Sequence, residues 1–235
     1  MKRLIVLLLA LALVPAVASA GVILETWHGT GSLTILLDGA SIGTQTGWAT
    51  IRVDNVGTPN DMAPLALNAS YEAFCVDLLR WSNSTSVGAH TADLLSWNLY
   101  NPATAATRAA AASWLLNTYL GQAGTDNSAL QLAIWEVLYE TSGTWATDSG
   151  NVSFSNSSAN LINETAQAYL NRASTDGASA YTGNGVWIQT DDSGTVPNLY
   201  YQDFATTIPV PEPGSIMLLG SGMIGLAVVL RRRRS

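Results

Sequence analysis

Cysteine, lysine and charged residues in general are scarce in this chain of 235 residues. It has a single cysteine, and charged residues make up 11% of the sequence. One cysteine excludes an internal disulfide framework and a cysteine-rich zinc site. Residues 21–210 contain no lysine and carry four positive and 16 negative charges. Nucleic acid and anionic lipid surfaces are therefore poor partners for this part of the chain.

The sequence patterns of common enzymes are also missing. His28 and His90 are the only histidines, and the chain has no His-Glu-x-x-His motif, no Gly-x-Ser-x-Gly elbow and no phosphate-binding glycine loop. A nucleophile pair of Cys75 and His90 is one reading, but an ordinary polar loop histidine is the commoner one. The acidic stretches 148–151 and 191–194 lack the spacing of a calcium loop. We predict that the protein is not an enzyme and needs neither a metal nor a cofactor.

The N-terminal residues 1–20 have the pattern of a secretory signal peptide. Two basic residues precede a short apolar run, and small residues stand at the positions that signal peptidase reads. These features are Lys2 and Arg3, the run Leu4–Val14, and the small residues Ala18 and Ala20. The apolar run is short for a membrane span, so an uncleaved anchor is the weaker alternative. We expect signal peptidase to act here and the mature chain to start near Gly21.

The C-terminal residues 208–235 combine three features in a fixed order. A Pro-Glu-Pro triplet is followed by the uncharged run Gly214–Leu230, which is just long enough for a membrane helix, and then by an arginine tail. The triplet is Pro211, Glu212 and Pro213, and the tail is Arg231, Arg232, Arg233 and Arg234. The tail should hold this end of the helix on the cytoplasmic side. A plain C-terminal membrane anchor would show a similar span and tail.

These three features together resemble the PEP-CTERM sorting signal of Gram-negative bacteria. The resemblance implies recognition by an exosortase, which is a membrane protease, in an organism that makes exopolysaccharide. It also implies a chain that is anchored in the inner membrane before processing and then reaches the cell surface or the extracellular matrix. The mature protein then keeps no membrane span.

Hydrophobic periodicity between residues 21 and 207 predicts one α+β domain. β-branched and aromatic stretches between glycine-containing breaks indicate strands, and in the middle of the chain apolar residues recur at helical spacing. We expect strands at Val22–Trp27, Ser32–Leu37, Thr46–Val53, Tyr71–Leu79, Val186–Thr190 and Leu199–Phe204. We expect helices at Ala105–Leu120, from a cap at Thr125 or Asp126 to about Glu140, and at Ser158–Ala173. This order predicts an antiparallel sheet or small barrel with an insertion of about three helices.

Cys75 and Gln131 are the chemically informative residues. A lone cysteine in an exported chain is a buried thiol, an intermolecular disulfide partner or a reactive centre. Gln131 falls inside the apolar arc of the predicted second helix, where an unpaired amide costs about 1–3 kcal/mol. Glu136 and Glu140 fall on the other side of this helix, where we expect water to reach them.

Two motifs around this pair resemble the thioester domain of bacterial surface adhesins. Phe74-Cys75-Val76-Asp77 matches its aromatic-Cys-aliphatic-Asp motif, and residues 131–135 match its Gln-x-Ala-Ile-Trp helix start. Leu130 stands where a threonine often precedes the glutamine. The resemblance implies that Cys75 supplies the sulfur and Gln131 the acyl carbon of an internal thioester. The supporting residues that it implies are Phe74, Asp77, Ala133, Ile134 and Trp135.

The resemblance also implies a function. Such a thioester captures an amine or another nucleophile on a target surface. The lack of lysine in residues 21–210 fits this chemistry, although compositional drift in an acidic exported protein is the commoner explanation of that lack. We therefore predict an exported surface or matrix protein that attaches covalently to an extracellular polysaccharide or to a surface amine or hydroxyl. The alternative is a noncovalent structural or polysaccharide-binding matrix protein without a thioester.

The tryptophans bear on that alternative, because an exposed indole can stack on a sugar ring. Three of them lie in periodic segments and are predicted to be core residues, namely Trp48, Trp114 and Trp135. Three others lie in or beside breaks and are the better candidates for the surface, namely Trp81, Trp97 and Trp145.

Overall fold

The computed structural model describes residues 21–42, 44–54, 62, 64–66, 68–78, 87–155, 160–190 and 202–208. The predicted signal peptide, the sorting triplet, the membrane run, the arginine tail and Trp81 all lie outside the described residues. Within the described ranges, no helix is both long and apolar enough to cross a membrane.

Eight strands are found in the described part of the chain. They are β1 (Gly21–Leu37), β2 (Ala40–Ser41), β3 (Thr44–Asp54), β4 (Ser70–Cys75), β5 (Val87–Asp93), β6 (Val152–Ser155), β7 (Gly185–Thr190) and β8 (Phe204–Thr207). Every pairing between them is antiparallel. The strands β2, β5 and β6 were not predicted, because each is short or lacks a run of β-branched residues.

Six of the strands close into a small barrel. The order β1-β3-β4-β8-β7-β5 returns to its start because β5 also pairs with β1, through Gly21 with Gly88 and Val22 with Val87. Closure leaves these six strands without a free edge at the seam. Of the two predicted arrangements, an antiparallel sheet or a small barrel, the barrel is the one observed.

Strand β1 is long because its first part belongs to the barrel and its last part pairs with strands outside it. Its first part pairs with β3, with register shifts between Leu24 and Thr26 and between Gly29 and Ser32. Its last residues pair with β2 and β6 outside the barrel. Asp38 and Gly39 both have positive φ and join β1 to β2, as a tight hairpin turn requires. The two strands predicted at Val22–Trp27 and Ser32–Leu37 are therefore one bent strand.

Three α-helices lie between β5 and β7 in the chain. They are α1 (Ala105–Tyr119), α2 (Asn127–Tyr139) and α3 (Asn160–Thr175), and each lies within about two residues of its predicted bounds. Helix α2 begins after Asp126, whose Oδ1 accepts hydrogen bonds from the backbone N–H groups of Ser128 and Ala129 at 2.9 and 3.2 Å. This confirms Asp126 rather than Thr125 as the cap.

Helix α2 is the centre of the core. Every residue from Ser128 to Tyr139 is buried, because α2 packs against α1 and α3 on its flanks and against β3, β4 and β6 of the sheets. A helix that is buried on all sides brings its polar side chains into the interior together with its apolar ones. The few polar residues of α2 therefore determine where side-chain hydrogen bonds form inside the core.

Candidate functional site

Cys75 is the last residue of β4 and lies under helix α2. Its backbone pairs with Phe204 of β8, and neighbouring Phe74 pairs with both Trp48 of β3 and Ala205 of β8. The side chain of Cys75 is fully buried, as is that of Phe74. The only cysteine of the chain therefore ends a central strand of the barrel and has no access to solvent.

Gln131 meets Cys75 across the core. The Gln131 side chain is 0% exposed; its Oε1 accepts a hydrogen bond from the backbone N–H of Cys75 at 2.8 Å, and its Nε2 donates to the backbone carbonyl of Cys75 at 2.9 Å. The sequence analysis predicted a buried carboxamide that had to find partners, and it finds both on one residue. Two residues that are 56 positions apart are thus held side by side.

The segment after Cys75 is held by further side chains. The Tyr139 hydroxyl donates to the carbonyl of Val76 at 3.1 Å and accepts from the N–H of Leu78 at 3.0 Å. The Gln202 side chain donates to the carbonyl of Asp77 at 2.8 Å. We call the segment 75–78 with its partners Gln131, Tyr139 and Gln202 the Cys75 clamp.

The sequence analysis missed two members of this clamp. Tyr139 lies two turns after Gln131 on the same helix, so its polar hydroxyl near an apolar stripe was a usable signal. Gln202 comes from β8's N-terminal side, far along the chain, and only the closure of the barrel brings it here. No local pattern identifies a contact of that kind.

Burial controls the acidity of the groups in the clamp. The absence of water around the Cys75 thiol raises its pKa, and the negative charge of Asp77 raises it further. Burial raises the pKa of Tyr139 in the same way. Cys75 is therefore a neutral thiol at neutral pH, and external reagents cannot reach it as a free thiolate. Any reaction of this thiol has to involve a group that the fold already holds beside it.

The supporting residues named from the sequence are all in the interior. Ala133 and Ile134 are fully buried, Trp135 is 2% exposed and Asp77 is 5% exposed. Phe74 also stacks on Trp48, with 6.5 Å between the ring centroids. These positions provide the dry surroundings that an acyl group would need, while the individual roles of these residues stay predictions.

The expectation that Glu136 and Glu140 form a solvated helix face is wrong. They are 0% and 1% exposed, because residues 141–151 fold back over that side of α2. The Oε1 atom of Glu136 accepts a hydrogen bond from the N–H of Ala146 at 2.7 Å. The carboxylate of Glu140 accepts from Ser142 and from Asn151, both at 2.6 Å. Glu136 of α2 and Glu140, which directly follows α2, thus anchor the loop that covers them.

The tryptophans are only partly as predicted. Trp135 is a core residue, whereas Trp48 and Trp114 are half-buried and pack against the core from its edge. Trp97 was expected at the surface but is 0% exposed and packs edge-on against Tyr139, because a short turn after β5 directs it inward. Trp145 is half-buried.

The histidines do not join Cys75. His28 stacks on Trp48 at 3.8 Å and its Nε2 lies 2.9 Å from the hydroxyl of Thr50. His90 is exposed and pairs with Gln189, and its strand β5 is not a neighbour of β4 in the barrel. Among the described residues, no group of three or more His, Cys, Asp or Glu side chains is arranged to hold a metal ion.

The decisive comparison concerns the C-terminus. Residues 209–234 match the family model described as the PEP-CTERM protein-sorting motif. The chain carries a PEP-CTERM sorting motif. This match includes the Pro211-Glu212-Pro213 triplet and the arginine tail, so it confirms the sorting signal predicted from the sequence.

The PEP-CTERM motif indicates an exported protein that an exosortase sorts. It covers only the end of the chain, so it says nothing about the chemistry of the barrel and its helices. No curated protein and no solved structure matches the chain. The resemblance to a thioester domain stays a prediction from the two motifs.

Proposed function

We propose that this exported protein attaches covalently to an extracellular target through an internal thioester between Cys75 Sγ and Gln131 Cδ. The observation that carries the proposal is the pairing of the Gln131 carboxamide with both backbone polar groups of Cys75. This pairing fixes the acyl carbon beside the residue that bears the sulfur. Fixed geometry of this kind is the main requirement of an intramolecular acyl transfer.

Formation of the thioester is balanced within the chain. The sulfur of Cys75 attacks Cδ of Gln131, the C–N bond breaks, and the thiol proton leaves with the amide nitrogen as ammonia. Because burial raises the pKa of the thiol, this proton passes to the departing nitrogen as the new bond forms. The dry core then protects the thioester from hydrolysis.

When a target is captured, the sulfur of Cys75 becomes the leaving group. Because Cys75 and Gln131 are both buried, the core has to open locally before an amine or hydroxyl on the target attacks the acyl carbon; the C–S bond then breaks, and the nucleophile's proton returns to the sulfur. The protein becomes joined to the target through the former Gln131 side chain, and the reaction is stoichiometric because that carbon is used once. The absence of lysine from residues 21–210 removes the commonest internal amine that would otherwise consume it.

The location of the protein after sorting follows from the same proposal. An exosortase releases the body from the inner membrane, and the body then acts at the cell surface or in the extracellular matrix. Its target there is an extracellular polysaccharide or a surface molecule with an accessible amine or hydroxyl.

The test is a mass measurement on the full chain, produced in an exporting bacterial host and purified in detergent without reducing agent. We expect the protein to weigh about 17 Da less than the mass calculated for its processed sequence, which is the mass of the lost ammonia, and to gain one methylamine when it is treated with that amine. Cys75→Ala should abolish both effects. Gln122→Ala, a matched control at an exposed glutamine before α2, should leave both effects intact.

Two other results would contradict the proposed thioester. A mass equal to the sequence, with one thiol that alkylates only after denaturation, would make Cys75 a buried thiol and the clamp a purely structural contact. Rapid alkylation of Cys75 in the native protein would also contradict the proposal.

A further inference from the structure

A cavity of about 340 Å³ opens at the C-terminal end of α2, far along the helix from Gln131. The first turn of α1, the residues after α2, the last turn of α3 and the short helical turn Ala178–Ala180 enclose it. Gln131 and Glu140 are nine residues apart along α2, which corresponds to about 14 Å of helix. The cavity therefore lies apart from Cys75 and Gln131 and does not depend on the proposed thioester, although Tyr139 of the clamp directly precedes Glu140. Its volume is at the lower end of the range of about 300–1,000 Å³ that is usual for small-molecule sites.

The floor of the cavity contains two buried groups of opposite charge. Arg108 is 4% exposed and Glu140 is 1% exposed. The Arg108 guanidinium donates to the carbonyl oxygens of Leu138, Tyr100 and Asn101 and to Thr104. These contacts occupy most of its five N–H groups but not all of them.

The carboxylate of Glu140 is also held in place, and it can accept further hydrogen bonds. Each of its oxygens accepts one backbone N–H, from Ser142 and from Asn151, and each has a second lone pair. Arg108 and Glu140 thus both line the cavity, are held in place by the backbone and retain unused hydrogen-bonding capacity. Groups that are immobilised in advance lose little conformational entropy when a ligand binds.

The other lining residues add aromatic and hydroxyl side chains to the charged pair of Arg108 and Glu140. The half-buried Trp145 lines the cavity, as do the exposed residues Thr107, Ser174 and Ser179. An aromatic face accepts the apolar C–H side of a pyranose ring, while hydroxyls and a fixed donor and acceptor match the hydroxyls at its edge. We propose that this cavity binds a neutral hexopyranose unit of a polysaccharide.

The negative charges in and around the cavity favour binding of a neutral sugar over an acidic one. Glu140 lies in the floor beside Arg108, so a uronate carboxylate would meet a negative group together with the positive one. Residues 21–210 also carry 16 negative against four positive charges, which repels polyanions at long range.

The experiment measures sugar binding to the full chain in a detergent whose headgroup is not a sugar. The probes are the methyl glycosides of α-glucose, α-mannose and β-galactose, with glucuronic acid as the charged counterpart, and the readouts are saturation-transfer NMR and tryptophan fluorescence. We expect at least one neutral glycoside to bind and glucuronic acid to bind more weakly. Trp145→Ala should weaken the binding of that glycoside by about tenfold or more.

Two further variants distinguish a loss of sugar binding from misfolding and from the general effect of replacing a tryptophan. Thr107→Phe places a large side chain in the cavity from an exposed helix position, so it should block binding without loss of helix signal in circular dichroism. Trp48→Phe changes a half-buried tryptophan of the barrel and should bind as the unaltered protein does. The proposal is overturned if none of the three glycosides binds, if glucuronic acid binds more tightly, or if Trp145→Ala and Thr107→Phe both leave binding unchanged.

Discussion

At the scale of single residues, the burial of Glu136 changes its pKa and makes the stability of the fold depend on pH. Its Oε1 accepts a hydrogen bond from Ala146, while its Oε2 has no hydrogen-bond partner among the described residues. Burial raises the pKa of Glu136 from 4.5 to about 9, and the nearby Glu140 adds to the rise. Glu136 is therefore protonated at neutral pH in the folded protein.

This protonation makes stability depend on pH. The unfolded carboxyl loses its proton near pH 4.5 and the folded one near pH 9, so the unfolded state binds fewer protons between these values. The contribution of Glu136 is complete below pH 4.5 and declines as the pH rises through this window. Glu136→Gln keeps an oxygen for Ala146 and cannot ionise. We expect the stability of the variant relative to the unaltered protein to rise by about 3 kcal/mol between pH 4 and pH 7.

Urea unfolding at pH 4, 5, 6, 7 and 8, followed by tryptophan fluorescence, measures this difference. Glu164→Gln, an exchange of the same kind at an exposed position on α3, should show no such trend. A gap between Glu136→Gln and the unaltered protein that stays constant with pH would mean that Glu136 ionises normally in the folded state.

At the scale of elements, helix α2 holds the end of strand β4 through two side chains. Gln131 bonds to Cys75, and the Tyr139 hydroxyl bonds to both Val76 and Leu78. Tyr139→Phe leaves a buried carbonyl and a buried N–H without a partner, so we expect it to reduce the free energy of unfolding by about 1–3 kcal/mol. Denaturant unfolding provides the measurement.

Tyr71→Phe is the matched control for that prediction. The Tyr71 hydroxyl accepts one hydrogen bond from Ala66 at an exposed position, where water can replace it, so the change should stay within about 0.5 kcal/mol. Equal losses from the two variants would show that the clamp contributes no more than a surface hydrogen bond.

The same elements show how far the sequence could predict this structure. The helices and the buried position of Gln131 were accessible, because helical spacing and an amide in an apolar arc are local signals, whereas the meeting of Gln131 with Cys75 was expected from the resemblance to thioester domains. The Asp38-Gly39 hairpin signal was also present in the sequence. The burial of Glu136 and Glu140 was not accessible, since it depends on a covering loop whose path no periodicity encodes. Strand β5 was missed because Gly88, Ala89 and His90 lack strand character and gain it only by pairing, Gly88 with β1 and the other two with β7.

At the scale of the whole molecule, the barrel joins distant parts of the chain into one ring. Strand β1 pairs with β3 and β5, and strand β8, near the other end of the described chain, pairs with β4 and β7. The helices pack on this ring rather than on one another alone. A ring cannot lose one strand without exposing the edges of its neighbours. We therefore expect the barrel and helix α2 to unfold as a single cooperative unit.

Val22 provides the test, because it lies at the seam, pairs with both Val53 and Val87 and is 2% exposed. Val22→Thr keeps the shape and buries a hydroxyl, so it should cost about 1–3 kcal/mol. In native-state hydrogen exchange, peptides from β4, β8 and α2 should then lose as much protection as those from β1. Thr26→Val, the reverse exchange at an exposed position of β1, should change protection by no more than about 0.5 kcal/mol. Loss of protection that is confined to β1 and β5 would instead make the seam a local opening, with β4 and its Cys75 clamp stable on their own.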